Sequence, residues 1–247
     1  MHRCGGTDQV VNALAQSWDS FEHPMPDAFA ALVHWRGGTV LDVGANTGVY
    51  SLIATHVRAD VRAIAFEPYP PVLEVLRRNL AANDLRERVE VAAVAIGAER
   101  GEAELHLPDP GHGLIETSAS LNADFKGEAA GSVTVRVERL DDLVTTAPTV
   151  VKVDVESLEH AVLAGARHTL EAHRPLVFFE VLHIGDPEAI ERLREEVDYV
   201  DVRLAPDGLV VGEVVRHDGA AWNHLLVPGE LLDEALAVLA SVGLGRR

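Results

Sequence analysis

The chain has 247 residues, of which 47% are hydrophobic, and this composition fits one domain of ordinary α/β size rather than a disordered chain. Lysine and arginine total 21 against 39 aspartate and glutamate residues, and the net charge of -18 would repel nucleic-acid phosphates and an anionic membrane surface. The single cysteine excludes an internal disulfide, no apolar run reaches the ~18 residues that span a bilayer, and the N-terminus lacks the apolar segment of a signal peptide, so we expect a cytoplasmic protein.

Two short helices are predicted before the first strand, at residues 8–16 and 26–35, because apolar residues recur there at helical spacing. These helices could form a lid over a binding site. We therefore expect a single domain, with an N-terminal helical lid at residues 1–37 and a core at residues 38–247. No internal repeat and no low-complexity tract indicates a second domain.

Residues 40–51 combine a buried strand, a glycine turn and the start of a helix. Asp42 precedes the turn, which contains Gly44, Asn46 and Gly48, and the pattern of these residues differs from the Gly-x-Gly-x-x-Gly fingerprint of dinucleotide sites. A pyrophosphate needs backbone amides at close approach, whereas S-adenosylmethionine has no phosphate and needs partners for an amino-acid end and a ribose. Asp42 can face the ammonium group of such a ligand, and the glycines let the backbone approach it.

The second predicted strand, at residues 61–67, ends in Glu67 and is stopped by Pro68. A carboxylate at this strand end can accept hydrogen bonds from both ribose hydroxyls, whether the ligand is S-adenosylmethionine or NAD. A helix is predicted to begin at Pro71, and a third strand is predicted at residues 89–96.

Short strands are expected at residues 102–107 and 133–137, on either side of a long stretch at 108–131 that is rich in Gly, Ser, Asn and Pro. Further elements are then predicted in this order: a helical turn at 140–144, a buried strand at 150–155, a helix at 158–172, a buried strand at 175–181, a helix at 187–197, strands at 199–204, 209–215 and 222–227, and a last helix from 228 to about 240. The closely spaced strands near the end indicate a hairpin-like finish to a parallel sheet.

Acidic side chains and a histidine follow the two buried strands of the second half. Asp154, Glu156 and Glu159 follow one strand, and Glu180 and His183 follow the next. These strand ends should flank the first strand in a doubly wound sheet, so the groups should face its ligand. Crowded acids raise one another's pKa, which favours a general base or a bound cation.

Less specific interpretations of these residues remain open. Glu159 could equally stabilise the start of the following helix at the positive end of its dipole. His183 could be a loop histidine without a role. Lys152, inside the buried strand, is expected to anchor that strand or to pair with an acid.

Three segments together resemble the FkbM family of S-adenosylmethionine-dependent methyltransferases: residues 40–51, residues 66–68, and residues 151–156 with Glu159. The resemblance covers residues 38–228, and Ser157 stands where the family usually has glycine. If the family's turn needs a positive φ at this position, Ser157 would be mildly strained or the loop would be rearranged. The resemblance implies an α/β fold with a doubly wound, mostly parallel, seven-stranded sheet whose last strand is antiparallel.

The resemblance also implies a function, with S-adenosylmethionine as cofactor and S-adenosylhomocysteine (SAH) as product. We expect methyl transfer to a hydroxyl group of a small molecule, such as a sugar or a natural-product intermediate. The residues expected to hold the cofactor are Asp42, Gly44, Asn46, Gly48, Glu67, Pro68 and Ala95. The residues expected to face the acceptor are Asp154, Glu156 and His183, one of which could take the hydroxyl proton. The acidic ligand set could hold a divalent metal ion, but none is expected, because a sulfonium needs no metal activation.

Other functions stay open at this point. N-methylation of an amine or guanidine would suit a carboxylate-rich pocket and the net charge of -18. An NAD-dependent dehydrogenase would use Glu67 in the same way, and a non-catalytic protein could bind the cofactor without transferring it. A small molecule is the expected partner, without nucleic acid or membrane, and a homo-oligomer is compatible with the sequence.

Overall fold

The computed structural model describes residues 21–107, 119–122 and 131–247. Its strands are β1 (Thr39–Val43), β2 (Arg62–Phe66), β3 (Val89–Ala92), β4 (Ala95–Ile96), β5 (Gly101–Leu107), β6 (Gly131–Glu138), β7 (Pro148–Val153), β8 (Leu176–Glu180), β9 (Tyr199–Ala205), β10 (Gly208–Val211) and β11 (Asn223–Pro228). Its helices are α1 (Met25–Arg36), α2 (Val49–Val57), α3 (Pro70–Ala82), α4 (Leu140–Leu143), α5 (Glu159–Ala164), α6 (Arg167–His173), α7 (Pro187–Glu196) and α8 (Leu232–Ser241).

Eight strands form one sheet in the order β10-β9-β11-β8-β7-β1-β2-β3. β1 pairs in parallel with β2 and β7, and parallel pairing continues to β3 on one side and to β8 on the other. β11 lies between β8 and β9 and runs antiparallel to both. The mostly parallel sheet with a reversed last strand is therefore confirmed. The sheet has one strand more than the seven predicted, because β10 forms an antiparallel hairpin with β9 at the edge.

The third predicted strand, at residues 89–96, is wrong as a continuous element. β3 ends at Ala92 and pairs with β2, whereas β4 pairs with β6 in a second, three-stranded sheet of order β4-β6-β5. β5 and β6 of that small sheet are antiparallel. The backbone therefore leaves the large sheet after Ala92 and enters the small one at Ala95.

The helix predicted at residues 158–172 is also wrong as one element, because α5 and α6 separate at Gly165 and Ala166. Gly165 lies against the turn that follows β4. A Cβ atom placed on Gly165 would come 2.1 Å from the carbonyl oxygen of Gly97, and the Gly165 carbonyl accepts a hydrogen bond from the amide of Asp141 at 3.0 Å. These contacts join segments that are distant in sequence, so helical spacing alone does not reveal them.

The core consists of apolar side chains on both faces of the large sheet. On one face, α1, α2, α3 and α8 pack against strand residues such as Val40 and Phe178. On the other face, α5, α6 and α7 pack against their neighbours, such as Leu41 and Phe179. The ring of Phe29 in α1 meets the ring of Phe178 edge-on, with centroids 5.4 Å apart. Burial on both faces explains why the central strands are nearly continuous apolar runs.

The strand predicted at 209–215 is too long, because β10 ends at Val211. The remaining predicted elements agree with the structure, apart from a few residues at their ends. α1 corresponds to the helix predicted at 26–35, whereas the helix predicted at 8–16 and most of the 108–131 stretch lie outside the described residues. A short 3-10 turn, Gly229–Leu231, precedes α8. No helix in the described part of the chain is long and apolar enough to cross a membrane.

We expect Gly165→Ala to lower the free energy of unfolding by about 1–3 kcal/mol, because the added methyl group would overlap the Gly97 carbonyl oxygen. The φ of -74° at Gly165 suits alanine, so the loss would come from overlap with the backbone of Gly97 and Ala98 rather than from backbone strain at residue 165. Gly101→Ala is the matched control, since no heavy atom lies within 4 Å of its added Cβ. Urea unfolding measures both variants, and equal stabilities would contradict the contact.

Candidate active site

The turn after β1 depends on two glycines with left-handed backbone. Gly44 has a φ of 75° and Gly48 a φ of 91°, values that other residues rarely adopt. A Cβ atom on Gly44 would come 1.8 Å from the backbone oxygen of Asp154, just after β7. The amides of Gly44 and Ala45 donate to the carbonyl of Phe66, at 3.0 and 2.9 Å. The turn is therefore fixed against strand ends on both sides.

Asp42 holds the start of α2. Its side chain is 1% exposed, and its Oδ2 accepts hydrogen bonds from the amide of Ser51 at 2.9 Å and from the hydroxyl of Ser51 at 2.7 Å. Burial raises the pKa of Asp42, while the charge of Lys152 and the bonds from Ser51 oppose that shift. The carboxylate therefore tethers α2 to β1, the strand that precedes the glycine turn.

Two backbone amides hold the Glu67 carboxylate at the end of β2. Oε2 accepts from the amide of Asn46 at 3.0 Å, and Oε1 accepts from the amide of Tyr69 at 2.8 Å. Burial raises the pKa of Glu67 to about 7, although both amide bonds lower it. Since a carboxylate oxygen has two lone pairs, each oxygen can accept one further hydrogen bond from a ligand.

A cavity opens at the carboxyl ends of β1, β2 and β7, which is where open α/β sheets bind their ligands. Its walls come from the turns after these strands, the small sheet and the 119–122 segment: Gly44, Asn46, Phe66, Glu67, Pro68, Tyr69, Val72, Val94, Ala95, Ile96, Leu105, Ala119, Leu121, Asp154, Val155, Glu156 and Leu158. One part is acidic and another is apolar. No lysine, arginine or histidine of the described ranges lines it.

The residues predicted to bind a cofactor fall into two groups. Those that line the cavity are Gly44, Asn46, Glu67, Pro68 and Ala95. Asp42 and Gly48 lie outside its lining and hold the turn and the start of α2 instead. Cofactor contact stays a prediction for both groups.

The residues predicted to face the acceptor are also divided. Asp154 and Glu156 line the cavity, whereas His183 does not. His183 is exposed in the turn after β8, and its ring centroid lies 6.1 Å from that of His217. A catalytic role of His183 stays a prediction, but the carboxylates are the groups that the fold brings to the cavity wall.

Glu159 holds the turn that follows β7. Its Oε1 accepts hydrogen bonds from the amides of Val155 at 3.1 Å and Ser157 at 3.3 Å. The side chain is 2% exposed, and burial raises its pKa to about 7. Of the two interpretations left open by the sequence, these contacts support the structural one, in which Glu159 organises the residues before α5.

The predicted strain at Ser157 is confirmed, since Glu156 and Ser157 have φ values of 57° and 87°. Such a conformation costs a non-glycine residue about 1 kcal/mol or more. The buried Ser157 hydroxyl accepts a hydrogen bond from Nδ2 of Asn122 at 2.9 Å, and the hydroxyl of Ser120 donates to the Glu156 carbonyl at 2.8 Å. The serine in place of glycine therefore helps to dock the 119–122 segment onto the cavity wall.

Three carboxyl groups converge beside Asp154, where oxygen atoms of Glu22, Asp154 and Glu180 lie within 4.8 Å of one another. The ammonium of Lys152 donates to Oδ2 of Asp154 at 2.5 Å, and the hydroxyl of Tyr50 donates to Glu22. This spacing would suit a divalent cation, but Lys152 already supplies a positive charge within the cluster, and we assign no metal to it. The expected pairing of Lys152 with an acid is confirmed.

Burial dominates the protonation of two members of this cluster, Glu22 and Glu180. It raises the pKa of Glu180 well above its usual range, reinforced by the charge of Asp154, and it also raises the pKa of Glu22. The positive charge of Lys152 opposes both rises without cancelling them. Glu22 and Glu180 therefore take up protons more readily than exposed carboxylates do.

Sequence reasoning does not place Glu22 or Tyr50 at the site. They lie 28 residues apart and meet only through packing of the segment before α1 on α2. Lys152 carries a usable signal, because a lysine within a buried strand shares one face with the residue two positions later, which is Asp154. An ion pair beside the cavity can be inferred from that spacing.

Comparison with known proteins identifies a family. Residues 42–204 match the model of the methyltransferase FkbM domain. The chain is 28% identical over 178 residues to methyltransferase sdnD of Sordaria araneosa, covering 61% of this chain and 68% of that protein. It is 30% identical over 161 residues to hexuronic acid methyltransferase AglP of Haloferax volcanii, covering 63% of this chain and 60% of that protein.

Solved structures agree with the fold. A methyltransferase FkbM from Methylobacillus flagellatus superimposes with a TM-score of 0.53 at 18% identity, over 77% of this chain and 44% of that one. A candidate methyltransferase from Streptococcus mutans in complex with SAH gives a TM-score of 0.51 at 11% identity, over 84% of this chain and 98% of that one. The chain thus spans less than half of the FkbM structure and nearly all of the second one.

We expect the titration of Glu159 to lower the free energy of unfolding as pH rises from about 4.5 through 7. In Glu159→Gln this pH-dependent loss should be smaller than in the wild type, by up to about 3 kcal/mol. The pKa of Glu159 is raised from 4.5 to about 7, so the native state binds more protons than the unfolded state in this window. Glutamine keeps an oxygen for the two amides but does not titrate. Urea unfolding at several pH values measures the difference, with exposed Glu188→Gln as control. Identical pH dependence in the wild type and Glu159→Gln would contradict the assignment.

Proposed function

Since the chain belongs to the FkbM family of methyltransferases, we propose that it transfers the methyl group of S-adenosylmethionine to a hydroxyl group of a small molecule. The acidic wall of the cavity carries the cofactor assignment. Glu67, Asp154 and Glu156 line it, and no cationic side chain of the described residues does. S-adenosylmethionine brings a positive sulfonium and a positive ammonium, whereas the negative pyrophosphate of NAD would be repelled by such a wall.

The residues on the wall fit the parts of this cofactor. Glu67 is fixed by two amides and can accept hydrogen bonds from ribose hydroxyls. Apolar side chains such as Val94 and Leu105 suit an adenine ring. Asp154 and Glu156 can attract the ammonium end. The same acidic wall counts against the alternative of a dehydrogenase.

The chemistry supplied by bound S-adenosylmethionine is a substitution, in which the acceptor oxygen bonds to the methyl carbon while the carbon–sulfur bond breaks and leaves its electron pair on sulfur. The protein's part is to hold the acceptor close and aligned. A carboxylate takes the hydroxyl proton, and we place this role on the groups around Asp154 rather than on exposed His183.

A sugar or a natural-product intermediate is the acceptor class that we favour. The similarity to a protein named hexuronic acid methyltransferase supports a sugar, although the alignment covers only 60% of that protein. N-methylation is the second candidate, because the convergence of Glu22, Asp154 and Glu180 could also attract a cationic amine. If the protein binds the cofactor but transfers its methyl group neither to a hydroxyl nor to an amine, a non-catalytic role would be favoured.

Glu67→Ala should weaken SAH binding at least a hundredfold, equivalent to about 3 kcal/mol, because two charge-assisted hydrogen bonds to the ribose are lost. Isothermal titration calorimetry measures this directly. Glu90→Ala is the matched control, since Glu90 is an exposed carboxylate on the adjacent β3 strand. Unchanged affinity in Glu67→Ala would refute the ribose assignment, and tight NAD binding by the wild type would refute the cofactor assignment.

An amino sugar, which offers both hydroxyl and amine groups, should receive the methyl group on oxygen. The reason is that proton uptake by a buried carboxylate suits a hydroxyl, whereas a neutral amine can attack before it loses a proton. Fragmentation mass spectrometry of the product locates the added methyl. A methyl found on nitrogen would overturn O-methylation in favour of the second candidate.

A further inference from the structure

Lys152 is a buried cation in the middle of the large sheet. Its side chain is 2% exposed, and it lies in β7 in register with Asp42 of β1 and with Phe178 of β8. Burying an ammonium is unfavourable unless opposite charges and hydrogen bonds compensate for the lost water. A lysine at this position therefore needs an explanation beyond strand formation.

The contacts of Lys152 join the cavity wall to the segment before α1. Its ammonium donates to Asp154 at 2.5 Å and lies 4.6 Å from the ring centroid of Tyr50. The Tyr50 hydroxyl in turn donates to Glu22. A cation over an aromatic face is attracted to it, so the Tyr50 ring and the Asp154 carboxylate both stabilise the ammonium. One side chain thus fixes the position of Asp154 and the ring that anchors Glu22.

Charges facing this cluster come from every element packed around it. The groups concerned are Glu22 before α1, Asp42 on β1, Tyr50 on α2, Asp154 and Glu156 after β7, and Glu180 at the end of β8. Lys152 is the positive group among them, and its own pKa is raised, because the surrounding carboxylates outweigh the effect of its burial. Burial raises the pKa values of Glu22 and Glu180, and the positive charge of Lys152 opposes both rises without cancelling them.

We propose that Lys152 is a positioning residue for methyl transfer, which fixes the Asp154 carboxylate at the cavity wall and keeps Glu22 and Glu180 able to accept the proton of the acceptor hydroxyl. The inference rests on the proposed O-methyl transfer. As the oxygen–carbon bond forms and the carbon–sulfur bond breaks, the hydroxyl proton passes by way of Asp154, the member of the cluster that lines the cavity, to Glu22 or Glu180 beside it. Without the ammonium, the carboxyl groups would hold their protons to higher pH.

The test is the pH dependence of kcat in Lys152→Met and Lys152→Arg. In Lys152→Met the midpoint of the rise of kcat with pH should move upward by about 1–3 pH units, which is the effect of removing one nearby opposite charge from a carboxyl group. Lys152→Arg keeps the charge and should hold the midpoint within about half a pH unit of the wild type. Arg192→Met, which removes an exposed positive charge on α7, is the control and should leave the profile unchanged.

An unchanged midpoint in Lys152→Met would overturn the proposal, because a purely structural lysine would alter stability without moving the profile. Where Lys152→Met does not fold, Lys152→Gln removes the same charge with a polar side chain. An upward shift of its midpoint supports the proposal, and an unchanged midpoint would overturn it.

A second measurement separates this inference from the proposed function. Carbon-13 NMR titration of the Glu22 and Glu180 carboxyl groups needs no turnover, and the resonances can be assigned with Glu22→Gln and Glu180→Gln. If the pH midpoint of the Glu22 or the Glu180 titration is higher in Lys152→Met than in the wild type, the electrostatic role of Lys152 is supported, even if the wild type transfers no methyl group to any acceptor. Titrations that coincide with those of the wild type would refute the role of Lys152 even if the wild type proves to be an O-methyltransferase.

Discussion

The close approach of the turn after β1 to the end of β7 is the constraint on which the site depends. The backbone oxygen of Asp154 occupies the space where any side chain on residue 44 would begin, and the amide of Asp154 donates to the carbonyl of Val43 at 2.9 Å. Only glycine meets both this contact and a φ of 75°. Because the two strand ends are locked together, the amide of Asn46 reaches Glu67 on one side and the Asp154 carboxylate reaches the cavity on the other.

The sequence predicts those features that follow from local pattern. Apolar runs locate the parallel strands, and the order of motifs places Glu67 and Asp154 at carboxyl ends of the sheet, where the cavity lies. Local pattern fails where a distant contact decides the backbone. The break at Gly165 depends on Gly97, and the split of the third predicted strand depends on pairing of Ala95 with Val137. Neither contact leaves a periodic signal in the segment it interrupts.

Buried carboxylates organise the site as much as they line it. Glu67 and Glu159 each accept hydrogen bonds from two backbone amides, and each has a pKa raised to about 7 by burial. Asp42 performs a similar task for Ser51 at the start of α2. The strongly acidic composition is therefore not only a surface property. Sequence patterns identify such residues as chemical candidates, but only the hydrogen bonds distinguish a carboxylate that holds a turn from one that faces a ligand.

Ser157 shows how a departure from the family pattern can be accommodated. A glycine would relieve the strain of a φ of 87°, yet it would remove the hydroxyl that binds Asn122. The segment so anchored contributes Ala119 and Leu121 to the cavity wall. The strain at one position thus helps to hold an apolar part of the wall that is distant in sequence from the glycine turn. The substitution is therefore better understood as part of the construction of this cavity than as a defect in a shared motif.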